Sequence, residues 1–208
     1  MADFGRYSFY GNCSENTYPY ITDKTFEPYV KEIINENNKK IIKYISDSKS
    51  YEEYGNARSI SITAELMGEK VHISVEILDK QPTLYVEGGY ICFNLNESFD
   101  EIRIEKTGVM INPEKDIVNG ANSALFAVDR YVFANGIIIK PVHSPLVCFG
   151  EPKIYRKNTG EFIKPKNGKV YFNLFNNMWA TGCPQWIKGD FCFEFYILFE
   201  ETEDDSAY

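Results

Sequence analysis

Apolar residues along much of this chain recur at every second position, the spacing of a half-buried strand. Ile60, Ile62, Ala64 and Leu66 alternate with polar residues. Val71, Ile73, Val75 and Ile77 repeat the pattern after a turn over 67–70 that contains Gly68. The two runs predict a β-hairpin. Near the other end, Phe191, Phe193, Phe195, Ile197 and Phe199 fall on one face of a strand predicted over 190–199. Shorter strands are predicted over 90–95, 101–106, 124–128, 136–142, 146–149, 153–156 and 169–175, and the aromatic, turn-rich opening over 3–20 reads as a strand and loop. One segment has a different rhythm. Over 25–46, Phe26, Tyr29, Val30, Ile33, Ile34, Ile41 and Ile45 recur at three- and four-residue spacing, which predicts an amphipathic helix. Asp23 or Thr25 would cap it and Pro28 would sit in its first turn. The following stretch, 47–56, reads as a loop.

Many short strands separated by turns predict an all-β fold, a mainly antiparallel β-sandwich, with that one N-terminal helix. The expected layout is a strand, loop and helix over 1–56 packed on a sandwich over 57–200, followed by an acidic tail over 201–208. With 208 residues, 44% hydrophobic and 15% aromatic, the chain can bury a substantial core. The formal net charge of −8 argues against nucleic acid as a partner, since that interaction needs clustered Lys and Arg. The first residues, MADFGRYSF, do not read as a signal peptide, and no apolar run approaches the ~20 residues of a membrane span. The five cysteines, Cys13, Cys92, Cys148, Cys183 and Cys192, are an odd number, widely spaced and without a C-x-x-C. They read as free thiols, mostly buried, in a cytoplasmic protein.

The stretch over 173–186, NLFNNMWATGCPQW, holds both tryptophans, Trp179 and Trp186, and the pair Asn176 and Asn177. Flat aromatics beside carboxamides can stack on a sugar face and bond its hydroxyls. The plainer alternative is that the tryptophans are packing residues and the asparagines bond backbone in a turn. On this view the loop leaves the strand at 169–175, turns at the asparagines and crosses an end of the sandwich. Trp179 would then be buried and Asn177 would bond the loop's backbone. NNMWATGCPQW followed by GDFCFEF resembles the closing segment of glycoside hydrolase family 38 α-mannosidases, and more closely a bacterial branch of hydrolase-like proteins. Asn176, Asn177, Trp179, Thr181 and Pro184 fit that pattern, whereas Gly182, Cys183 and Glu194 stand where Asn, Phe and Arg are usual. Elsewhere VEGGYICF places Glu87 at the family's Glu position, and in HSPLVCFG Pro145, Leu146, Val147 and Gly150 fit while His143 and Ser144 depart. The resemblance runs piecemeal from Phe4 to Phe199. It implies a sandwich of the galactose-mutarotase-like, supersandwich type whose 173–186 loop faces a separate α/β catalytic part, with Trp186 as the exposed contact. The family's catalytic zinc is held by that α/β part.

Catalytic constellations are hard to find in the residues themselves. A zinc site takes about four ligands, and the two histidines, His72 and His143, have no ligand-spaced neighbours. His72 lies out of phase with the apolar face of its strand and reads as solvated. Neither a nucleophile elbow nor a Walker-type or dinucleotide loop occurs, and Gly88-Gly89 reads as a turn or bulge. A glycosidase needs two facing carboxyl groups. Glu87, Asp129 and Asp190 could each supply one, but no spacing pairs them.

Three roles compete. The first is a non-catalytic, C-terminal β-sandwich domain of a glycoside hydrolase-like protein, packed on a catalytic domain in cis or on a separate chain and contributing to carbohydrate binding. Trp179, Trp186, Asn176, Asn177, Asp190 and Glu87 are its candidate sugar-contacting residues. The second is a free-standing carbohydrate-binding module, and the third is a small hydrolase. The first is preferred, with no catalytic residues, no cofactor, no metal and no membrane contact expected of this chain.

Overall fold

A computed structural model describes residues 3–7, 24–83, 87–95, 101–118, 120–121, 125–149, 168–176 and 187–199. The predicted strand at 153–156, the acidic tail, and Asn177, Trp179, Thr181 and Trp186 lie outside the described residues.

The alternating runs form strands as predicted. β5 (Ala57–Met67) and β6 (Lys70–Lys80) are a hairpin closed at Gly68, whose φ of 66° suits a residue without a Cβ. β6 then pairs antiparallel with β15 (Gly189–Phe199). Before them come β1 (Asp3–Tyr7), β2 (Lys24–Thr25), β3 (Tyr29–Glu36) and β4 (Lys39–Ile45). After β6 come β7 (Glu87–Asn94), β8 (Ile102–Lys106), β9 (Val109–Ile111), β10 (Phe126–Ala127) and β11 (Val132–Ala134). β12 (Ile137–Pro141), β13 (Leu146–Phe149) and β14 (Lys169–Asn176) complete the order. The strands make two antiparallel sheets, a six-stranded one ordered β10-β13-β14-β7-β1-β2 and a nine-stranded one ordered β3-β4-β5-β6-β15-β12-β11-β8-β9.

The core lies between these sheets, because each turns one apolar face inward. Val75, Ile104, Val132, Ile139 and Phe195 of the larger sheet and Val170 and Phe172 of the smaller are fully buried. Phe195 meets Phe172 and Phe93 edge-on, each at a centroid distance of 5.2 Å. The other face of the smaller sheet is also covered: Tyr90, Cys148 and Tyr171 form a second buried cluster.

The helix predicted over 25–46 is instead the hairpin β3–β4, joined by Asn37 and Asn38. A register shift between Val30 and Glu32 explains the misleading rhythm. Val30 pairs with Tyr44 and Ile33 with Ile42, so the bulge at Lys31 puts two residues three apart on one face. The β-branched Val30, Ile33, Ile34, Ile41 and Ile42 suit strands, and Asn38 exchanges bonds with Leu66 of β5, which fixes the hairpin on the sheet. The helix lies in the segment read as a loop. α1 (Ser48–Tyr54) is capped by Asp47, whose carboxylate accepts from Ser50 N, and ends at Gly55 in the left-handed conformation.

Candidate functional site

One end of the sandwich collects chemistry from five elements. β6 ends there at Lys80, β7 begins at Glu87, β14 ends at Asn176, β15 begins at Gly189, and α1 terminates beside them at Gly55. The alternation of β6 changes phase on arrival. Asp79 takes a φ of 55°, so Lys80 rather than Asp79 turns inward and is buried. Asp is among the residues that tolerate this conformation.

Lys80 and Glu87 form an ion pair at 2.9 Å with both side chains 1% exposed. The ammonium also donates to Gly55 O at 2.7 Å and to Gln81 O at 2.6 Å. The ammonium thus bonds two carbonyl oxygens, one of them at the C-terminus of α1, while its charge faces the Glu87 carboxylate. A side chain at Gly55 would collide with the carbonyls of Gln81 and Pro82, so α1 sits hard against this loop. Removal from water raises the Glu87 carboxyl to about 7, and the attraction of Lys80 offsets this only in part. The same burial lowers Lys80, with Glu87 acting the other way.

Folded Glu87 holds its proton more tightly than unfolded Glu87. Its contribution to stability is complete below the ordinary glutamate range and is lost as pH rises to about 7. The melting temperature should therefore fall from about pH 5 to about pH 8, and Glu87→Gln should flatten that slope. A slope unchanged in the variant would show that another group is responsible.

Beside this pair, β7 carries Gly88 and Gly89 within a strand rather than at a turn. A Cβ on Gly89 would run into the ring of Phe175. Register shifts lie opposite the glycines in both neighbouring strands, between Phe4 and Arg6 of β1 and between Asn173 and Phe175 of β14. The Asn173 carboxamide spans the second shift, donating to Gly89 O and Phe175 O at 3.2 and 3.1 Å. Asn176 donates to Asn173 Oδ1.

On the other side, Asp190 accepts from Asp79 N at 2.7 Å. The Asp79 carboxylate takes bonds from Arg58 Nε at 2.7 Å and Tyr51 OH at 2.8 Å. Those bonds, Arg58 first, hold it below the usual carboxylate range. Arg58 also lies over the Tyr51 ring and donates to its hydroxyl.

Glu87, Asn176 and Asp190, three of the sequence candidates, thus arrive at one end, and each is engaged within the chain. Asp129 is exposed elsewhere.

Neither a family model nor a curated protein matches this chain. Solved structures are similar to it, among them the following two. One is a galactose mutarotase related enzyme from Lactobacillus acidophilus, 11% identical, TM-score 0.45, covering 96% of this chain and 79% of its own. The other is a protein from Synechocystis sp. PCC 6803, 10% identical, TM-score 0.46, covering 92% of this chain and 75% of its own. No family is assigned by either likeness.

Several expectations change in the folded protein. His72 is not solvated: its side chain is 18% exposed, its Nε2 lies 3.1 Å from Glu194 Oε1, and its ring lies against Tyr196. It faces outward as its phase predicted, but Tyr196 and Glu194 of β15 lie against it. None of the described cysteines, Cys92, Cys148 and Cys192, is joined in a disulfide, and Cys192 is exposed rather than buried. No group of three or more His, Cys, Asp or Glu able to hold a metal ion occurs among the described residues. No helix among them is long and apolar enough to cross a membrane.

The contributors that sequence reasoning missed are Lys80, Asn173, Gly55 and Arg58. Lys80 had one signal, an ammonium closing a strand of core-facing residues. The others acquire their roles through partners far away in the chain.

Proposed function

We propose that this chain is a non-catalytic β-sandwich of a glycoside hydrolase-like protein. It packs against a catalytic domain, in cis or on a separate chain, and contributes to carbohydrate binding. The observation that carries this reading is how the two candidate carboxylates at the polar end are used. Glu87 is shut away from solvent and bound to Lys80. Asp190 bonds the backbone of Asp79. A glycosidase instead needs two carboxyl groups facing a scissile bond across open space. The exposed apolar side chains Val30 and Ile33 on one face of β3 support a packing role, since they carry apolar surface to the edge of the larger sheet. The resemblance in the sequence supplies the sugar chemistry.

Aryl α-mannosides and related aryl glycosides test the reading. The chain should release no aryl alcohol above background. Turnover that disappears in Glu87→Gln or Asp190→Asn would overturn the non-catalytic assignment.

A further inference from the structure

A shallow depression of about 400 Å³ opens beside α1, lined by Tyr29, Ser46, Ser48, Tyr51, Glu52 and Arg58. We propose that this depression is a binding site for an uncharged sugar ring. The inference rests on the carbohydrate contribution proposed above and gives it a place different from the asparagine–tryptophan stretch.

The lining has the parts such a ligand needs. Tyr29 is 52% exposed, and a tyrosine ring can stack on the apolar face of a sugar. Ser46 and Ser48 carry hydroxyls that both donate and accept, Glu52 accepts, and Arg58 donates. Sugar hydroxyls do both as well, so the mixture suits a polyol. It suits an anion poorly. The Arg58 charge is already paired with Asp79 at 2.7 Å, and Glu52 adds a negative group. The depression therefore offers no surplus of positive charge for a phosphate or a carboxylate.

The polar groups are also held before a ligand arrives. Arg58 and Tyr51 are locked to each other and to Asp79. The Asp47 cap fixes the start of α1 next to Ser46 and Ser48. The far end of α1 is tied to Lys80 through Gly55. Groups fixed in this way lose less freedom on binding. The size lies within the range of small-molecule pockets.

The test is a titration of the ¹⁵N-labelled full chain with methyl α-mannopyranoside and methyl β-galactopyranoside, followed by amide shifts. Saturable shifts should appear at Tyr29, Ser46, Ser48, Tyr51, Glu52 and Arg58 for at least one glycoside. Tyr29→Ala should weaken that binding about tenfold. It should leave the melting temperature unchanged, because the side chain is half exposed. Saturable shifts confined to other residues would overturn this site while leaving the carbohydrate contribution standing. No saturable shift with either glycoside, or full affinity in Tyr29→Ala, would overturn it too. The non-catalytic assignment is tested separately by the turnover assay.

Discussion

Replacing Lys80 with methionine should lower folding stability by about 3–5 kcal/mol, the usual cost of removing one partner of a buried ion pair. The reason is what stays behind. Glu87 would be left 1% exposed with no counter-charge. The carbonyls of Gly55 and Gln81 would lose the donor that ties α1 to the 81–83 loop. In a chain of 208 residues the melting temperature should drop by about 6–20 °C. Glu87 should take up its proton in the variant, which softens the loss towards acid pH. Lys80→Met combined with Glu87→Leu should recover much of the deficit, because apolar replacements of a buried pair are often neutral or stabilising. A single variant within about 0.5 kcal/mol of the parent would mean that this end is open to water.

Phe195→Ala should cost a similar amount, about 3–5 kcal/mol. Phe195 is fully buried and in edge contact with Phe93 and Phe172 of the opposite sheet. Truncation leaves a cavity where the two sheets meet, and neighbours fixed in strands can collapse only partly. Phe199, four residues along the same strand, is 59% exposed. Phe199→Ala should stay within about 0.5 kcal/mol. Chemical denaturation of both variants measures the contrast. Equal losses, or the reverse order, would place the register of β15 wrongly.

β15 and the β5–β6 hairpin were legible because period-two alternation continued across most of their length. Phe193 and Phe195 emerged buried on the predicted face, while Phe191 and Ile197 emerged half-buried. β3 and β4 were not legible, because the bulge at Lys31 breaks the alternation and leaves apolar residues at helix-like spacing. α1 was missed for the opposite reason. It is seven residues long with no apolar periodicity, and its position depends on a cap at Asp47 and on Lys80. Such a helix is stabilised by tertiary contact rather than by its own propensity.

The candidate site divides in the same way. Glu87, Asn176 and Asp190 could be picked out by residue type and family resemblance, and the topology brings them to one end. Their roles could not be read, because the phase change at Asp79 decides that a lysine meets Glu87 inside the sandwich. Trp179, Trp186 and Asn177 lie outside the described residues, so their placement is an expectation from the sequence alone.

Glu87 is a closed, structural carboxyl, and the proposed sugar site lies outside it. Titrating the Glu87 side-chain carbon by ¹³C NMR, with and without methyl α-mannopyranoside, tests this most directly. The predicted midpoint is about 7, the same in the presence of the glycoside. A midpoint in the ordinary glutamate range, or one displaced by the glycoside, would contradict the account.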